Sequence, residues 1–166
     1  MSDRNITCCF TGHRPAGLPW GADENDPCCL DMKFELAARL EGIYDCGYRH
    51  FLCGMALGCD SYFAEAVLAL REQHPDVTLE AAVPCGSQPE KWNPAQRQRY
   101  NRLLDACDKV TVLQIAYTPD CMMRRNRYMV DHSSLLLAAY TGSPGGTQNT
   151  ILYAERTGVK VILIEI

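Results

Sequence analysis

Short continuous apolar runs alternate along this chain with longer stretches in which apolar positions return every three or four residues. That is the pattern of fully buried strands separated by amphipathic helices. Ile6–Thr11 predicts a first strand, followed by a helix over Lys33–Tyr44 that carries Leu36, Ala37, Leu40, Ile43 and Tyr44 on one stripe and stops at Gly47. His50–Cys53 predicts a second strand, and Ser61–Glu72 a second helix closed by Pro75. Val77–Val83 is a third strand ended by Pro84, Pro94–Cys107 a helix, Lys109–Ile115 a fourth strand, and Asp120–Asp131 a helix with Met122, Met123, Met129 and Val130 inward. Leu135–Tyr140 is a fifth strand, Thr147–Thr157 a helix before Gly158, and Val159–Ile164 a sixth strand. Six strands joined by crossovers imply an α/β fold with a mostly parallel sheet and helices on both faces.

The 166 residues suit one domain spanning 1–166, since a second independent core would be cramped. Hydrophobic residues at 47% and charged residues at 22% are ordinary globular values and exclude disordered and fibrous classes. No apolar run reaches the ~18 residues of a membrane span, and the first residues lack a signal-peptide pattern. The expectation is a cytoplasmic protein with no membrane partner. The ten cysteines form no C-x-x-C spacing, so they are expected as reduced, mainly structural thiols, with no metal site. A net charge of -4 argues against a nucleic-acid partner.

In parallel α/β sheets, ligands bind beyond the carboxyl ends of the strands, near the point where strand order reverses. The unusual residues of this sequence gather there. Strand one runs into Thr11, Gly12, His13 and Arg14; strand two into Gly54, Met55, Gly58 and Asp60; strand three into Pro84 and Gln88, with Trp92 beyond. Strand five runs into Gly142, Gly145, Gly146 and Thr147, with Asn149 and Thr150 in the next turn. Glycines let backbone N–H groups approach an anion at a helix start, and Thr147 or Thr150 adds a hydroxyl. His13 and Arg14 are placed to meet a phosphate, or form a solvated loop pair. Asp60 orients a ribose or base edge, or caps its helix. Trp92 stacks on a base or covers the core edge. Arg124, Arg125 and Arg127 form a solvated helix face from which Arg125 and Asn126 turn inward; Arg97, Arg99 and Arg102 read as surface charge. Ala16–Leu30 has no periodicity, and loops of that length are commonly lids or interface segments. No Gly-Lys-Ser/Thr and no G-x-G-x-x-G occurs, which disfavours Mg-ATP hydrolysis and ordinary NAD chemistry.

Thr-Gly-His-Arg-Pro, Gly-Met-Ala-Leu-Gly-Cys-Asp, Pro-Cys-Gly-Ser-Gln with Trp92, Arg-Asn-Arg-Tyr-Met-Val-Asp and Gly-Gly-Thr-Gln-Asn-Thr follow one another in this order. Together they resemble the YpsA-like branch of the SLOG superfamily over nearly the whole chain. The resemblance implies a Rossmann-like three-layer sandwich with strand order close to 3-2-1-4-5-6. It also implies binding or sensing of a nucleotide-derived ligand, commonly as a homo-oligomer, without a firm cofactor. Lonely Guy phosphoribohydrolases, relatives in that superfamily, carry Pro-Gly-Gly-x-Gly-Thr followed closely by a catalytic Glu. Pro144-Gly145-Gly146 is present, but Asn149 precedes Thr150, and Glu155, the first acid, comes almost a helical turn late. Catalytic residues are therefore unassigned. Cleavage of an N-glycosidic bond in nucleoside monophosphates, through Arg14, Asp60 or Glu155, is the alternative to binding alone. Single-stranded nucleic-acid binding, as in the DNA-processing relatives, is a second alternative, and it asks for a basic groove.

Overall fold

The computed structural model describes residues 3–166. The continuous apolar runs become the middle of the sheet: β1 (Thr7–Gly12), β2 (His50–Cys53) and β5 (Leu135–Tyr140) are buried along nearly their whole length. Strands covered on both faces need no polar alternation. β3 (Thr78–Val83), β4 (Lys109–Val112) and β6 (Lys160–Glu165) complete six strands in the order β4-β3-β2-β1-β5-β6, every pairing parallel. β4 does not lie on the far side of β1, as an order near 3-2-1-4-5-6 requires; it pairs with β3 at the edge. The reversal comes one unit later, between β1 and β5. Right-handed crossovers explain this. Helices α1 (Pro27–Asp45), α2 (Cys59–Gln73) and α3 (Pro94–Ala106) step the chain outward on one face, and α4 (Cys121–Asp131) then returns it across the other face. α5 (Gly146–Arg156) joins α4 there.

The period of two divides the core. Cys8, Phe10, Phe51, Cys53, Leu79, Ala81, Leu135 and Leu137 pack with Leu36, Leu40, Phe63, Val67 and Leu103 from the three-helix face. Cys9, Leu52, Ala82, Leu136 and Ala138 pack with Met129, Val130, Ile151 and Ala154 from the two-helix face. All ten cysteines are free; Cys28 and Cys46 are exposed, Cys107 is half-buried and the rest are buried. Burial pushes the Cys9 and Cys59 thiols up to about 12, far from a reactive thiolate. No helix among the described residues is long and apolar enough to cross a membrane.

Three local expectations are corrected. α1 begins six residues before Lys33, because Asp26 accepts a hydrogen bond from the Cys28 N–H at 2.8 Å and Pro27 occupies the first turn. β4 ends at Val112 rather than Ile115, which is 91% exposed: its one neighbour ends at Val83, and Pro84 offers no N–H to extend the ladder. On α4 the buried stripe runs Cys121, Arg125, Met129, four residues apart, which leaves Met123 exposed.

Residues 16–26 form a strap docked on the three-helix face. Trp20 is buried and donates from Nε1 to the Tyr62 hydroxyl at 3.3 Å. Glu24 accepts from Lys33 Nζ at 2.8 Å and Arg99 Nη1 at 2.6 Å. Arg99 is therefore not free surface charge: half-buried, it joins Glu24 on the strap to Glu65 on α2.

At the amino edge of the sheet, Glu80 is 2% exposed and fully partnered. It accepts from His50 Nε2 at 2.9 Å, Thr111 Oγ1 at 2.9 Å and the Tyr128 hydroxyl at 3.0 Å, while His50 Nδ1 meets Thr78 Oγ1 at 2.6 Å. Burial pushes the Glu80 carboxyl up, but these donors outweigh it and hold the group at about 2, against 4.5 for a free glutamate. A depressed carboxylate contributes stability above its unfolded pKa and loses it as pH falls through the folded value, here on the order of 3 kcal/mol lost between about pH 4.5 and 2. Glu80→Gln is expected to lower the unfolding free energy at pH 7 by roughly 2–4 kcal/mol. The gap from the native chain should narrow as pH drops from about 4.5 toward 2. Urea denaturation at pH 7, 4 and 3 checks both; a gap independent of pH would refute the assignment.

Candidate functional site

Because α1 leaves β1 toward one face and α5 leaves β5 toward the other, the sheet opens between the carboxyl ends of these two strands. A cavity of about 270 Å³ lies at that opening, lined by Phe10, Thr11, Gly12, His13, Arg14, Ala56, Asp60, Met122, Arg125, Asn126, Met129, Gly146 and Thr147. A second cavity of about 250 Å³ lies on the three-helix side, between the strap, the start of α2 and α3, with Met55, Gly58, Tyr62, Trp92, Arg99 and Tyr100 among its walls.

Arg125 organises the first cavity. It is 4% exposed, and its guanidinium donates to the Gly54 carbonyl, to Ala82 O at 3.4 Å and to Asn126 Oδ1 at 2.8 Å. Gly54 admits it: a Cβ at that position would stand 2.5 Å from Arg125 Nη1. Burial pushes the Arg125 pKa down, with Asp60 acting in the opposite direction; an arginine nonetheless stays charged at neutral pH. Among the described residues no carboxylate forms an ion pair within 4.0 Å of it.

Asp60 is 6% exposed and accepts from the Ala56 N–H through Oδ2 at 3.0 Å, closing the turn that leads into α2. It is not the helix cap, a position held by Gly58. Burial raises the Asp60 pKa, and Arg125, the Ala56 N–H and Arg14 partly offset this. His13 Nε2 accepts from the Thr141 backbone N–H at 3.1 Å, so it carries no proton there, and burial lowers its pKa in the same sense. This bond ties the loop after β1 to the loop after β5. The loop after β2 is held as closely: Cys59 N–H donates to His13 O at 3.1 Å, and Met55 is the one non-glycine among the described residues with a positive φ, 58°. Such strain persists only where surrounding contacts fix it.

The residues singled out from sequence therefore divide. Thr11, Gly12, His13, Arg14, Asp60, Arg125, Asn126, Gly146 and Thr147 meet in the first cavity. Met55, Gly58 and Trp92 line the second instead. Asn149 and Thr150 lie along a groove between α4 and α5 that touches the first cavity at Asn126 and Gly146. Gly54, Pro84 and Gln88 are buried beneath the rim, Gln88 Nε2 donating to Met55 O at 3.3 Å; Gly142 and Gly145 are exposed in the loop before α5. Glu155 is exposed and lines neither cavity. Sequence reasoning missed Phe10, Met122 and Met129, apolar residues indistinguishable from core, and Ser61, Tyr62 and Tyr100, which sit inside helices rather than loops. Tyr128 and Asp131, farther along α4, bond elsewhere, Tyr128 to Glu80 and Asp131 to Tyr153.

A family model described as the YspA SLOG family matches residues 8–162. An uncharacterized SPbeta prophage-derived protein, YoqJ of Bacillus subtilis (strain 168), is 32% identical over 146 residues, covering 80% of this chain and 85% of that protein. A UPF0398 protein of Bacillus pumilus (strain SAFR-032) is 29% identical over 139 residues, covering 82% and 74%. Among solved structures, DNA processing protein A from Streptococcus pneumoniae superposes with a TM-score of 0.65 at 16% identity, over 95% of this chain and 49% of that one. DNA processing protein A from Helicobacter pylori, described with a single-stranded DNA binding mode, gives 0.63 at 13% identity over 95% and 64%. These structural likenesses are of fold.

The rim geometry makes a stability prediction. At Gly58, φ is +85° and a Cβ would stand 2.7 Å from His13 O, whereas at Gly142, φ is +91° with nothing within 4 Å. Gly58→Ala is expected to cost about 3 kcal/mol and Gly142→Ala about 1 kcal/mol. Chemical denaturation of the two variants checks this; equal costs would mean the two loops are not packed as described.

Proposed function

The chain belongs to the YspA SLOG family, and from that premise we propose that it binds a small phosphate-bearing, nucleotide-like ligand between the carboxyl ends of β1 and β5. The observation that carries the proposal is Arg125: a buried guanidinium with no ion-pair partner among the described residues, facing a cavity into which the amino terminus of α5 also opens. A buried charge without a direct ion pair is costly; Asp60 offsets part of that cost through space, and an anion in the cavity would offset more of it. Supporting it, Gly146 and Thr147 begin α5 at the cavity wall, where helix N–H groups and the macrodipole favour negative charge. Thr11 and Thr147 are each 6% exposed, line the cavity, and make no side-chain hydrogen bond among the described residues. Arg14 stands exposed at the mouth.

Ligand that binds only the folded state raises its melting temperature. Nucleoside monophosphates are expected to raise the melting temperature, and the parent nucleosides to raise it less. Arg14→Ala is expected to weaken monophosphate binding about tenfold, the size of one charge-assisted hydrogen bond. Calorimetric titration of native and variant protein measures this, and a panel of monophosphates that neither shifts the melting temperature nor releases heat would end the proposal. The same incubations separate binding from N-glycosidic cleavage. Cleavage would rest on Asp60, the one carboxyl among the described residues that lines the cavity; binding alone leaves the base attached, so free base in solution would replace this reading with the hydrolase one.

A second reading, single-stranded DNA binding, is favoured by the likeness of fold to DNA processing protein A. The net charge of -4 stands against it, because phosphate-backbone binding draws on a cationic surface. No mobility shift of a single-stranded oligonucleotide is expected at low salt. A shift that weakens steeply as salt rises would establish nucleic acid as a partner.

A further inference from the structure

The second cavity, between the strap, α2 and α3, has the walls of a site for a flat heterocycle. Trp92 and Tyr100 meet at 88° with ring centroids 5.2 Å apart, forming a corner closed by Tyr62 and Leu103. A planar group placed in such a corner can lie on one ring face and abut the next, and aromatic stacking accepts any nucleobase because every base has a π-face.

A polar side chain also opens into this cavity. Ser61 is 8% exposed, lines the cavity and makes no side-chain hydrogen bond among the described residues. Gln96 spends its Oε1 on the Asn93 N–H, which leaves its amide NH₂ group for another partner. At the strap, Glu24 and Arg99 set a carboxylate and a guanidinium side by side on the wall. Donors and acceptors thus stand around an aromatic corner, which is how polar groups orient a ring whose faces are held by apolar contact.

Size and position connect the two cavities. At about 250 and 270 Å³ each falls below the ~300–1,000 Å³ of a site that encloses a whole small ligand. They adjoin along the chain: Arg14 and Asp60 line the first, and the residues next to them in sequence, Pro15 and Ser61, line the second. Between those residues Gly58 packs close to the loop after β1: a Cβ there would stand 2.7 Å from His13 O and 3.0 Å from Pro15 Cδ.

We propose that the Trp92–Tyr100–Ser61 cavity is the base subsite of the same ligand, taking the heterocycle of a nucleotide whose phosphate lies against Arg125 and the start of α5. The inference rests on the phosphate reading above and adds that recognition is bipartite. Adenosine and guanosine 5′-monophosphates, ribose 5-phosphate and inorganic phosphate are the probes, with Trp92 fluorescence and titration calorimetry as readouts. The monophosphates are expected to quench Trp92, whereas ribose 5-phosphate binds without quenching. Trp92→Ala is expected to weaken monophosphate binding about tenfold and leave ribose 5-phosphate unchanged. Ser61→Ala, which removes one oxygen and leaves the corner intact, is expected to weaken only the base-bearing probes several-fold, and it carries the test if Trp92→Ala fails to fold. Ribose 5-phosphate and the monophosphates binding alike, with Ser61→Ala affecting neither, would overturn the base subsite and leave the phosphate site standing. Failure of every probe to bind would remove both.

Discussion

The rim is held together by a guanidinium kept out of water. Arg125 comes from α4 on the two-helix face, passes under the turn after β2, and bonds the carbonyl of Gly54. That turn must fold tightly, with a positive φ at Met55 and Asp60 bonded back to Ala56, to offer its carbonyl and admit the side chain. Take Arg125 away and the Gly54 and Ala82 carbonyls lose a donor while Asp60 loses the positive charge that most offsets its burial. An unpaired buried acceptor costs about 1–3 kcal/mol, and a buried carboxylate without its counter-charge costs more. One side chain therefore couples the two helical layers where the sheet opens.

The fold was legible wherever a residue's environment could be read from its neighbours in sequence. β1, β2 and β5 announce themselves as unbroken apolar runs because both faces are covered, and their carboxyl ends could be located from the glycine-bearing turns that follow. The start of α1 was missed although Asp26-Pro27 is a strong helix-start signal, since the apolar stripe becomes regular only later. The strand order could not come from periodicity. Whether β4 pairs with β3 or with β1 depends on which face α3 covers, a tertiary choice that leaves no local mark.

The site was legible in its loops and illegible in its partition. Glycine-rich turns after parallel strands do fall on one rim, but a list of loops cannot say that Ala56 and Asp60 face one cavity while Met55, Gly58 and Ser61 face another. For Asp60 and Ser61 that separation arises because α2 begins at the rim, and successive residues of its first turn point about 100° apart. Arg99 shows the same limit from the other side. In sequence it is one of several arginines on a polar helix; its role follows only from Glu24, 75 residues away, arriving on the strap.

The strap and Arg125 thus perform matching tasks on opposite faces. Trp20 and the Glu24–Arg99–Glu65 ion pairs fasten the segment after β1 to α2 and α3, while His13 fastens its beginning to Thr141 after β5. The segment therefore runs from the first cavity to the second with both ends secured, and Gly58 packs against it between them. On the proposed reading, a segment secured at both ends favours a ligand already extended enough to reach both cavities, because little ordering of the protein remains to oppose binding. A compact ligand would use one cavity and leave the other's polar groups unpartnered. On that reading the strap's ion pairs bear on ligand shape as well as on stability.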